Sequence, residues 1–167
     1  MAATVQIAEF NGAGETKTAN ITNSNMGSVD SVNLDADANP ITPGNNSYEK
    51  WQKMEVTAMG GSSKVKNLKV WRTSALGGSA VHVTNARESS YGGAATYATP
   101  VATSSAVATQ TMPTSEPTGA NLGIGGSLTG ELTATGLSDY LVHQIQTNGA
   151  DTVGASCTMN YQYDEVA

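Results

Sequence analysis

The residues that could do chemistry are few. The chain has two histidines, one cysteine and fourteen acidic side chains among 167 residues. His82, His143 and Cys157 fall on three separate segments. Zinc takes three or four nitrogen or sulfur ligands, so these residues form a site only if folding gathers them. His143 shares an alternating face with Leu141 and Ile145, the pattern of a histidine held within a core. Cys157 alternates into an apolar face, where a thiol behaves as a small hydrophobe. Nothing beside it in sequence lowers its pKa.

Asp35-Ala36-Asp37-Ala38-Asn39 begins like a calcium-binding loop, with oxygen side chains at alternate positions. The match breaks at Pro40, where glycine is needed, and at Asn46, where a bidentate glutamate is needed. A solvated Asx-rich turn is expected instead, although a loosely held calcium would suit its acids. Gly123-Ile124-Gly125-Gly126 lacks the preceding strand and following helix of a phosphate cradle, so it reads as a flexible turn. No Gly-x-Ser-x-Gly elbow is present. Glu49, Glu55, Glu131 and Asp139 could serve as paired carboxylates, but nothing in the sequence pairs them. The expectation is that no residue is catalytic, none binds a cofactor and none ligates a metal.

These groups must be positioned by strands. Charged residues make up only 13% of the chain, and its polarity comes from Ser, Thr, Asn and Gly. Such residues favour turns and strand faces over helices. Ala155 to Tyr163 and Asp139 to Gln146 alternate with a period of two, and Thr147 to Asp151 between them suggests a hairpin. Trp51 to Ala58 and Val65 to Arg72 are further strands, joined by Gly60-Gly61-Ser62-Ser63. Both faces of the latter hold something large, so one tryptophan should be covered by a loop or another subunit. Thr4 to Phe10, Lys17 to Thr22 and Ser127 to Ala134 are shorter candidates. Val101 to Met112 is ambiguous, and a short helix could occupy Tyr48 to Lys53. Leu34 to Asn46, Asn85 to Thr99 and Pro113 to Gly126 read as long loops. The fold class is an all-β antiparallel β-sandwich, jelly-roll or Ig-like, as a single domain over 1–167. Residues 1–10 could extend as an N-terminal arm.

The net charge is −6, with eight basic residues. That argues against a nucleic-acid partner, which needs clustered cations to displace counterions. Lys50, Lys53, Lys64, Lys66, Lys69 and Arg72 do cluster, and read as the polar face of one hairpin. No apolar stretch is long enough to cross a bilayer, so no membrane partner is expected. A lone cysteine excludes an intrachain disulfide. The opening residues lack a secretory leader pattern, so cytoplasmic synthesis is the expectation and the Asn20 and Asn45 glycosylation patterns are accidental. The aromatics Tyr48, Trp51, Trp71, Tyr91, Tyr97, Tyr140, Tyr161 and Tyr163 could line a carbohydrate groove or anchor an interface, and otherwise form core.

Several phrases carry a family resemblance. They are Ser47-Tyr48-Glu49-Lys50-Trp51, Asn67-Leu68-Lys69-Val70-Trp71, Ala94 to Ala102, Met112 to Pro117, Asn121 to Ile124, Ser138 to Val142 and Tyr161 to Glu165. Over residues 47–165 the chain resembles small virion structural proteins of tailed bacteriophages. The resemblance implies a non-enzymatic β-sandwich, foremost a capsid decoration protein that binds and stabilises the assembled head. A neck, collar or tail attachment subunit is the alternative. The implied partners are major capsid or neck proteins of the same virion and further copies of the chain, as in a trimer. The implied location is the virion, assembled in the host cytoplasm. A carbohydrate-binding module, calcium-assisted through Asp35 and Asp37, is the rival from another class.

Overall fold

The structure, a computed structural model, describes residues 1–12, 14–88, 107–151 and 154–167. Among these, nine strands form and no helix. In chain order they are β1 (Thr4–Glu9), β2 (Lys50–Ala58), β3 (Lys64–Thr73), β4 (Val81–Glu88), β5 (Gln110–Thr111), β6 (Glu131–Leu132), β7 (Gly136–Leu137), β8 (Tyr140–Gln146) and β9 (Thr158–Val166). One sheet runs β1-β2-β8-β4-β5, with β7 also pairing with β2, and the other runs β6-β3-β9. Every pairing is antiparallel. The all-β, two-sheet class is as expected from the alternation.

The sheets meet face to face. Met54, Val56 and Leu141 of the larger sheet share one buried cluster with Val65, Leu68 and Val70 of the smaller. Each such side chain adds about 1.5–3 kcal/mol by leaving water. A second cluster of Ala8, Phe10, Trp51, Tyr140 and Val142 lies on the opposite face of the larger sheet, with Val83 and Ala108. The larger sheet is therefore buried on both faces. This explains why the first five residues of β8 are all buried. Trp51 of β2 is buried, at 1% exposure, whereas the tryptophan expected to be covered is Trp71. Trp71 remains half-buried on β3, opposite Asn160.

Connectivity differs from the expected hairpins. β2 and β3 lie in different sheets, and so do β8 and β9. The turns after Ala58 and Gln146 thus carry the chain from one sheet to the other. Gly60 is required there: its φ is +60°, and a Cβ would meet the Met1 and Ala2 carbonyl oxygens at 2.3 Å. The basic run Lys50–Arg72 is divided between the sheets and is not one hairpin face. Lys17–Thr22 forms only a bridge from Thr18 to Glu9. Of Ser127–Ala134, only the pair Glu131–Leu132 is a strand. The segment considered for a helix opens β2, because Trp51 and Gln52 are buried on opposite faces.

β4 runs into the expected loop 85–99, of which residues 89–99 lie outside the described residues. Of the ambiguous segment 101–112, residues 101–106 also lie outside them, and Gln110–Thr111 is β5. Residues 1–10 are tied to their own chain rather than extending as an arm. β1 pairs with β2 from Thr4 to Glu9, and the Gly61 amide donates to the Met1 carbonyl at 2.6 Å. The Ala3 amide also donates to Glu165 Oε2 at 2.8 Å.

Candidate functional site

On the face of the larger sheet turned toward the smaller one, three polar residues form a diagonal row. In β2 and β8, Lys50 stands opposite His143 and Gln52 opposite Leu141. In β4 and β8, Thr84 stands opposite His143 and His82 opposite Ile145. Gln52, His143 and His82 are thus diagonal neighbours on three adjoining strands, within reach of long side chains. Their exposures are 1%, 1% and 3%. His82 Nε2 and His143 Nδ1 share a hydrogen bond of 2.9 Å. The Tyr161 hydroxyl on β9 donates to Gln52 Oε1 at 2.6 Å and so ties the sheets together.

Burial governs the charge of this row. It pushes the His82 pKa down to about 4, with help from the Arg72 guanidinium. Burial holds His143 well below the ordinary histidine range, with His82 and Lys50 adding to the effect. Both imidazoles are therefore neutral at pH 7. Burial, then the Glu9 carboxylate, raises the Tyr161 phenol. Glu9 and Lys50 are paired at 2.9 Å with both side chains 2% exposed. Lys50 Nζ also donates to the Ser31 carbonyl, and Ser24 Oγ to Glu9 Oε2.

The row lines a cavity of about 970 Å³, whose apolar wall includes Ile7, Ile41, Leu76, Ile145 and Met159. Cys157 lines it too, half-buried and ahead of β9 rather than packed into the core. Burial pushes its thiol pKa up, which works against a thiolate ligand or nucleophile. Folding thus brings His82, His143 and Cys157 to one cavity. Among the described residues no group of three or more His, Cys, Asp or Glu side chains could hold a metal ion. His82 Nδ1, His143 Nε2 and Gln52 Nε2 have no hydrogen-bond partner. Sequence reasoning placed His143 on the correct face and named Tyr161 only as a groove, interface or core aromatic, and it missed Gln52. The only signal for His82 was the short alternation Val81-His82-Val83-Thr84.

The other candidate groups serve the fold. Asp35 Oδ1 accepts from the amides of Asp37 and Ala38, as an Asx turn does. The glycine-rich segment is a turn held by Asp139, whose Oδ2 accepts from the Gly126 amide at 2.8 Å. A Cβ on Gly123 would meet that carboxylate at 2.3 Å, so glycine is needed there. Glu49 Oε1 accepts from the Val107 and Ala108 amides. Glu55 binds Lys17 and Gln6, and Glu131 binds Lys64. Those four acids occupy separate structural positions rather than one cleft. Tyr140 meets Phe10 and Trp51 edge-on at 5.3 and 5.2 Å, with Lys53 Nζ 3.9 Å from its ring centre. Tyr91 and Tyr97 lie outside the described residues.

The sheet edges differ. Beyond β1, the Thr18 and Ile21 amides donate to the Glu9 and Ile7 carbonyls, covering its outer side. β5 and β6 are two residues each. β9 is a nine-residue edge strand whose ladder partner among the described residues is β3. It turns Met159, Tyr161 and Tyr163 toward the core. Asn160, Gln162 and Asp164 stand opposite Trp71, Lys69 and Lys66 of β3. No family model, curated protein or solved structure matches the chain.

Proposed function

We propose that the chain is a non-enzymatic structural subunit of a tailed-bacteriophage virion, foremost a capsid decoration protein that binds the assembled head. The observation that carries this reading is the edge of β9 that no strand among the described residues pairs with. A long edge strand presents a row of backbone donors and acceptors that another chain can extend. Thr158, Asn160, Gln162 and Asp164 give that edge a polar outward face, suited to reversible docking on a polar shell. The phage-like phrases over residues 47–165 agree with it, and several of them build β2, β3, β8 and β9. Structural use of Glu49, Glu55, Glu131 and Asp139 agrees as well. The mechanism is mass action: each bound copy stabilises only the assembled shell. A neck or collar attachment subunit would use the same edge.

Co-sedimentation with purified heads tests the reading. Wild-type protein should pellet with heads saturably. Thr158→Lys, which places a cation on an exposed position of the edge strand opposite the uncharged Thr73, should weaken pelleting without lowering Tm. Failure of the wild type to pellet with heads or necks would contradict the proposal.

A further inference from the structure

We propose that the inter-sheet cavity binds an uncharged small molecule with an apolar body and one hydroxyl group. The carrying observation is the hydrogen-bond state of the Gln52–His143–His82 row. Each of the three side chains is at least nine-tenths buried, and each has a nitrogen without a partner. An unpaired buried polar group is costly, so a row of three calls for a partner.

The histidine pair fixes what that partner must offer. The 2.9 Å bond uses one proton on the shared side of the two rings. If His82 Nε2 donates, His82 Nδ1 is a bare acceptor and His143 Nε2 carries a hydrogen. If His143 Nδ1 donates, the roles reverse. Either way, two neutral imidazoles present one donor and one acceptor. Gln52 Oε1 is taken by Tyr161, which leaves its NH₂ as a further donor. A hydroxyl has one O–H donor and two lone pairs. On the side of the pair facing Gln52 it can accept from Gln52 Nε2 and either donate to or accept from His143 Nε2, whichever tautomer is present, while His82 Nδ1 stands at the far end of the pair.

The surroundings set the rest of the ligand. Ile7, Ile41, Leu76 and Met159 favour an apolar body, and the volume suits a small organic molecule. Glu9 and Lys50 neutralise each other beside the row, Asp151 at the cavity wall is held by the Ser79 and Asn148 amides, and the Arg72 cation acting on His82 disfavours a bound metal ion. This inference is independent of the virion reading.

Benzyl alcohol and toluene are suitable probes, read by long-range ¹H–¹⁵N spectra of the full chain. Benzyl alcohol should bind saturably and shift His143 Nε2 more than His82 Nδ1. Toluene, lacking the hydroxyl, should bind about tenfold more weakly. Ala80→Phe, which fills the cavity from its wall, should abolish both responses with the β-sheet spectrum retained. If that variant fails to fold, the alcohol-to-hydrocarbon ratio in the wild type decides. Equal affinity for the two probes, no imidazole shift at millimolar alcohol, or saturable shifts with Zn²⁺ in place of the alcohol would overturn the proposal.

Discussion

His82 on β4 and His143 on β8, 61 residues apart in sequence, share a buried hydrogen bond of 2.9 Å between neutral rings. Their pairing makes the interior of this sandwich sensitive to acid. Arg72 of β3 and Lys50 of β2 oppose protonation of the pair, and no carboxylate is among the causes that shift either ring.

The first prediction is a loss of stability in mild acid. The His82 pKa falls from 6.5 when unfolded to about 4 when folded. The unfolded chain therefore binds the proton more readily between those values. Stability is fully present above pH 6.5 and falls as pH drops through 4, by on the order of 3 kcal/mol for this residue. Urea titrations at pH 7, 5.5 and 4.5 measure it. His82→Gln should flatten the curve, and an equally steep curve in that variant would assign the acid response elsewhere.

The Glu9–Lys50 pair gives a second prediction. Lys50→Met leaves the Glu9 carboxylate buried without its cation and should cost about 3–5 kcal/mol in urea unfolding. Glu9→Leu with Lys50→Met removes both charges and should recover most of that loss. A double variant as unstable as the single one would mean that the Lys50 bond to the Ser31 carbonyl, rather than the ion pair, holds this region.

Tyr161 joins the sheets through one hydroxyl. Tyr161→Phe keeps the ring and leaves Gln52 Oε1 unpaired in the interior, at a cost of about 1–3 kcal/mol. A Tm equal to wild type would mean that water replaces the hydroxyl at Gln52.

Glu49 holds the Val107 and Ala108 amides against the second core cluster. Glu49→Ala should speed hydrogen exchange at those two amides and lower stability by about 2–3 kcal/mol. Glu49→Gln, which retains an acceptor oxygen, should keep most of the protection. Unchanged exchange in the alanine variant would contradict the role.

The strands with strict alternation were legible in sequence: β2, β3 and β8 stand close to their expected bounds, and β9 lies three residues later at each end than expected. The pairing of those strands was not legible. Thr147–Asp151 has hairpin chemistry, but Asp151 turns back to the Ser79 and Asn148 amides, and the chain crosses to the other sheet. Local turn residues encode a bend and do not choose which sheet receives the next strand. β4 was missed because Thr84, Asn85, Arg87 and Glu88 give it little apolar contrast, while its burial comes from β8 and from the second core cluster. The candidate site was half legible for a related reason. His143 announced an inward face, but its contact with His82 depends on the register between β4 and β8, which no local pattern carries.

The most direct test of the central claim is quantitative mass spectrometry of purified particles of the phage to which the proposal assigns the chain, scaled to the major shell protein. The decoration reading predicts a copy number comparable to that of the shell protein. A few copies per particle would place the chain at the neck or tail instead. Absence from the particles would contradict the virion assignment.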